Sequence, residues 1–96
     1  LYVNNAIKVD IKAAKPYTNS KTGTFHTFNL DKKEHACDIF MMFAIEHDES
    51  IGRILIIPSK ELKVKQLSIG AKSQYNKYVN RWDYFDKYAN FMNGIN

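Results

Sequence analysis

From Ile7 to Lys12 apolar and charged positions alternate without a slip: Ile7, Val9 and Ile11 against Lys8, Asp10 and Lys12. A period of two marks a strand with one buried face. It predicts a first strand over Ala6 to Ala14, ended by Pro16, which cannot donate to a ladder. Thr18 to Gly23 has turn composition. Phe25 to Leu30 then reads as a second strand, joined to the first by a hairpin with a longish loop. Ala36 to Ile45 is apolar except for Asp38, the pattern of a central strand covered on both faces. His47 to Gly52 is the next turn. Arg53 to Ile57 is a β-branched fourth strand, ended by Pro58. Ser59 to Leu62 suits one helical turn, and Val64 to Ile69 a short fifth strand closed by Gly70.

Beyond Gly70 the period changes. Tyr75, Tyr78, Val79, Trp82, Phe85, Tyr88, Ala89 and Met92 recur at spacings of three and four, one face of a helix within 71–93. Ser73 suits its start and Gly94 its end. A break near Asn80, with Asp83 opening a second piece, fits as well. The expected fold is α/β with an α+β-like order: a mixed, mostly antiparallel sheet of four to five strands followed by a C-terminal helix.

Ninety-six residues make a single domain with one modest core. No apolar run approaches the roughly 18 residues of a membrane span, and Lys8 and Asp10 interrupt the only N-terminal apolar stretch, so no signal peptide is expected there. Cys37 is the single cysteine. An internal disulfide is therefore impossible, and a reducing intracellular (cytoplasmic) setting is expected.

The net charge is +4, and its distribution adds to the picture. Lys8, Lys12, Lys15 and Lys21 face one acid, Asp10, in residues 1–22. An acidic stretch follows over 31–50. Residues 53–81 are basic again, with Glu61 their only acid. If the two basic segments meet in space, they suit a polyanion; otherwise they are solubilising charge.

Asp10 and Lys12 are the candidate chemistry. Two residues apart on one strand face, they lie about 7 Å along the strand from each other. A carboxylate there can ligate Mg²⁺, a hard ion that prefers oxygen. An ammonium beside it can orient a water or stabilise developing charge on a phosphate. Lys15 is a solvated lysine or a phosphate contact. Lys72, Lys77 and Arg81 interleave with Tyr75, Tyr78 and Trp82, which suits a nucleic-acid backbone. The competing reading is an amphipathic helix with aromatic core and basic wet face, preferred for Trp82, Phe85 and Met92. Asp38 neighbours the site or is simply a strand-end acid. His26, His35, His47 and Cys37 do not follow a zinc spacing. The four glycines form no phosphate loop, and no Ser-His-Asp or Cys-His arrangement stands out.

Taken together, these segments resemble the PD-(D/E)XK, or restriction-endonuclease-like, nucleases. The resemblance runs through the strand Ile7 to Ala14, its partner Phe25 to Leu30, the buried strand Cys37 to Ile45, Arg53 to Pro58 with the trailing Ser59 to Leu62, and the tail from Lys72 to Tyr78 leading to Trp82-Asp83. It implies Mg²⁺-dependent hydrolysis of DNA, with Mn²⁺ able to substitute. Asp10 would be the variable acid and metal ligand, and Lys12 the motif lysine. Lys15, Lys21, Lys72, Tyr75, Lys77 and Arg81 would contact DNA, and the protein would act as a homodimer. The family carries a further metal-binding Asp upstream and often a Glu on a preceding helix. Nothing acidic precedes Asp10, so the expectation is a nuclease core lacking its N-terminal helix and strand. The alternative function is a non-catalytic nucleic-acid-binding module on the same framework.

Overall fold

The computed structural model describes residues 2–3, 7–31 and 36–87. A two-residue β1 (Tyr2–Val3) pairs antiparallel with the start of β2 (Ile7–Ala14). Pro16, expected to end the first strand for good, instead opens β3 (Pro16–Asn19) after a one-residue break at Lys15. The first residue of a strand is a position that tolerates a missing N–H donor. There the chain leaves one sheet and enters another.

Turn residues 20–22 lead into β4 (Gly23–Asn29), antiparallel to β3. Asn19 Oδ1 accepts from the Lys21 and Thr22 amides at 2.8 and 3.3 Å. Gly23 takes a φ of 98°, open to glycine at little cost. The hairpin expected between the first and second strands is thus formed by β3 and β4. β2 pairs instead, in parallel, with β5 (Ile39–Ile45). β6 (Ile51–Pro58) lies antiparallel on the other side of β5, and β7 (Gln66–Gly70) pairs antiparallel with β4. In place of one mixed sheet there are two, ordered β1-β2-β5-β6 and β3-β4-β7. Alternation identifies strands but not their partners, which is why the division is invisible in the pattern.

β5 is the central strand its apolar run predicts. Its two faces serve two clusters of buried side chains. Phe40 and Met42, with Leu55 and Ile57 of β6, pack against Phe28, Leu67 and Ile69 of the second sheet. Ile39 joins Ile7, Val9 and Ile56 on the opposite face, covered by Tyr84 and Phe85.

The C-terminal region departs from one helix. Gln74–Tyr78 is a 3₁₀ turn whose Ser73 hydroxyl accepts from the Tyr75 amide at 3.1 Å. Val79 then bridges to Leu55 on the free edge of β6, and the Asn80 amide donates to Ile54 O at 2.9 Å. Asn80 sits at φ 56°, a conformation asparagine tolerates better than most residues. Helical turns resume at 83–87. The expected break at Asn80 is therefore present, and its cause is backbone pairing with the sheet edge. Trp82, expected in the core, is 46% exposed and stacks on Phe85 with ring centroids 6.3 Å apart. Tyr88, Ala89, Met92 and Gly94 lie outside the described residues. Among the described residues no helix is long and apolar enough to cross a membrane.

Candidate functional site

The register defines three rows across the central sheet: Asp10–Phe40–Ile57, Lys12–Met42–Leu55 and Ala14–Ala44–Arg53. Residues aligned in this way share a face. Asp10 and Lys12 therefore stand on the side that carries the second sheet, yet their side chains keep 44% and 26% of their exposure. They occupy the β2 margin, where β1 covers only the first two residues of the strand. Lys12 Nζ lies 3.5 Å from Asp10 Oδ2. A pair this exposed contributes at most about 1 kcal/mol to stability.

Two further groups support this margin. Asp38 Oδ2 accepts from the Lys8 amide at 2.9 Å, and the Asp38 amide donates to Lys8 O at 2.8 Å. Asp38 thus serves as a strand-end clamp between β2 and the start of β5. Cys37 is buried next to Asp10. Burial pushes its thiol up from the usual range, and the Asp10 carboxylate pushes it further. Backbone N–H groups of Cys37 and Asp10 partly offset this, and Asp38 adds a smaller rise. A thiol shifted this way is a poor nucleophile. Native Cys37 is expected to alkylate more slowly at neutral pH than in the unfolded chain. Asp10→Asn should speed the native reaction by removing the negative charge that opposes the thiolate. An iodoacetamide time course with mass readout checks this. An unchanged rate in the variant would mean that the Asp10 charge does not reach the thiol.

The expected nucleic-acid contacts do not gather around Asp10. Lys15 is exposed at the bend between β2 and β3. Lys21 is exposed at the tip of the β3–β4 hairpin. Nine residue steps, bent at Lys15, lead from Asp10 to Asn19, roughly 30 Å of contour. Lys72 lies at that same distant end, lining a depression of about 490 Å³ with Thr22, Gly23, Thr24 and Ser73. Tyr75 is half-buried against the core and stacks on Tyr78 at 6.4 Å. Lys77 is exposed, its Nζ 5.2 Å from the centroid of the Tyr78 ring.

Arg81 is engaged within its own segment. Nε and Nη2 donate to the two oxygens of Asp83 at 2.9 and 3.0 Å, and the guanidinium lies 4.5 Å from the Tyr84 ring centroid. The Arg81 fork, helped by Lys87, holds the Asp83 carboxyl down at about 2. A phosphate contact by Arg81 has to compete with this bidentate pair.

One polar cluster has no signature in the sequence. His26, in the middle of β4, is 2% exposed. Its Nε2–H donates to Ile45 O at 2.8 Å, and Nδ1 accepts from Arg53 Nη2 at 3.3 Å. Arg53 Nη1 donates to Asn76 Oδ1 at 2.6 Å and lies 3.4 Å from Gly70 O. The alternation of β4 marks position 26 as inward, but nothing local names its distant partners.

Among the described residues no three His, Cys, Asp or Glu side chains gather where they can share an ion. Mg²⁺, however, keeps several waters and is commonly held by one or two carboxylates together with substrate phosphate. The exposed Asp10 carboxylate meets the lower end of that requirement. Comparison of the chain with protein-family models, with curated proteins and with solved structures finds no match.

Proposed function

We propose that this domain is a metal-dependent deoxyribonuclease core that hydrolyses DNA phosphodiesters. The observation that carries it is the Asp10–Lys12 pair: two opposite charges 3.5 Å apart, on one face of β2, at a solvent-reachable margin. Asp10 would hold Mg²⁺ or Mn²⁺, and a bound ion would supply a Lewis acid beside the scissile phosphate. Lys12 would stabilise the negative charge that grows on the phosphate oxygens, an interaction strengthened by the partly dry margin. Val9 and Ile7, buried on the other face of the strand, fix the strand that carries both groups. Incubation of the full-length protein with duplex DNA and Mg²⁺ is expected to give cleavage that chelation stops. DNA binding without any Mg²⁺- or Mn²⁺-dependent cleavage would overturn the assignment.

A second reading, a binding module without catalysis, is favoured by one specific observation. Lys72 lines a depression with Thr22 and Gly23 at the end of the hairpin whose tip carries exposed Lys21. That reading expects salt-sensitive DNA affinity with a slope set by those lysines, and no effect of Asp10→Asn on any activity.

A further inference from the structure

We propose that Arg53 is the floor of a second phosphate-binding site, one that grips the nucleic-acid backbone at the hairpin end. It rests on the reading of this domain as one that engages nucleic acid, and it adds a residue that the motif and the lysine pattern do not name.

Arg53 is half-buried, and its guanidinium is held by neutral groups: His26 Nδ1, Asn76 Oδ1 and Gly70 O. Asn76 is itself fixed, its Nδ2 donating to Gly70 O at 2.9 Å and Ala71 O at 3.1 Å. Among the described residues no carboxylate oxygen lies within 4 Å of Arg53. A partly desolvated cation with no carboxylate in direct contact is costly, and an anion bound against it lowers that cost. Three of the five N–H donors of the guanidinium are engaged, which leaves Nε–H and one Nη2–H. Donors on adjacent guanidinium nitrogens match two oxygens of one phosphate.

The surroundings fit such a ligand. Arg53, His26, Thr24 and Asn76 line a depression of about 470 Å³. It adjoins the depression beside Lys72, with Thr24 and Ala71 shared between them. Lys21 follows Asn19 at the same hairpin tip. A strand of nucleic acid laid across this end meets Arg53 as a fixed fork and the two lysines as mobile charges.

The local backbone is bulged beside Arg53. A register irregularity between Ala44 and Ile45 pairs Ala44 with Arg53 and Ile45 with Ile51, leaving Gly52 as the extra residue of a bulge. The Glu46 side chain crosses the space a Cβ on Gly52 would need, and it lines the same depression. Among the described residues Glu46 is the one acidic side chain lining this depression, and its charge opposes anion binding there.

That opposition gives the test. Affinity of the full-length protein for a short mixed-sequence DNA duplex is measured against salt concentration, in an Asp10→Asn background so that cleavage plays no part. Arg53→Gln is expected to weaken binding by roughly tenfold and to lower the salt slope by about one. Glu46→Gln is expected to tighten binding. Arg53→Gln also removes a partner of buried His26, so a companion measurement uses the unmutated side chain. The ¹⁵Nε–H resonance of Arg53 is followed while inorganic phosphate, and separately the duplex, is added. A shift with both supports the site. A shift with phosphate alone overturns the nucleic-acid assignment. Duplex binding with no Arg53 shift and no effect of Glu46→Gln overturns the Arg53 site, while leaving the Asp10–Lys12 assignment to stand on cleavage.

Discussion

Asp10→Asn is expected to lower DNA cleavage at least a hundredfold, the scale seen when one electrostatic contributor to a transition state is removed. The fold should survive the change. Asp10 is half-exposed and its ion pair with Lys12 contributes at most about 1 kcal/mol. Metal-free DNA affinity should hold or rise, because the substitution removes a negative charge from a surface that meets phosphates. Lys12→Met should cost cleavage on the same scale but with the opposite sign for affinity, since it removes a positive charge at the same place. Paired cleavage and binding assays on the two variants separate these effects. Wild-type cleavage in either variant would remove that residue from the catalytic machinery.

Phe28→Ala carries the largest expected effect on stability, a loss of about 3–5 kcal/mol. Phe28 is 1% exposed near the end of β4, opposite Leu67 of β7 in the ladder. Its ring belongs to the cluster that joins the second sheet to Phe40, Met42, Leu55 and Ile57 of the first. Truncation leaves a cavity between layers that are held by backbone pairing on both sides and cannot simply collapse. A small domain commonly has a margin of about 5–15 kcal/mol, so the variant should show a far lower urea midpoint or fail to fold. A loss below about 1 kcal/mol would mean that the two sheets do not depend on this contact.

How much of this was legible in the sequence differs by element. The alternation at Ile7–Lys12 reported both the strand and the shared face of Asp10 and Lys12, because side-chain direction in a strand follows local geometry alone. The unbroken run Ile39–Ile45 likewise reported a strand buried on both faces. The partner of each strand was not legible. Whether Ala14 lies beside Ala44 or beside a residue of β4 depends on contacts distant in sequence, and the bend at Lys15–Pro16 settles it. The aromatic spacing after Gly70 suggested one helix. Pairing of Val79 and Asn80 with β6 overrides it, since an open strand edge offers the same backbone satisfaction as a helical turn. The His26–Arg53–Asn76 cluster brings together three segments with no common motif, so only the folded arrangement reveals it.

The central claim is that Asp10 and Lys12 mark a divalent-ion site. Mn²⁺ binds the same hard oxygen donors as Mg²⁺, and its paramagnetism broadens nearby amide resonances. In a Mn²⁺ titration of the full-length protein, the amides of Asp10, Ile11, Lys12 and Cys37 should broaden first, and Asp10→Asn should remove that response. Broadening centred instead on the exposed acidic turn at Asp48 and Glu49, with the β2 amides sharp, would contradict the account.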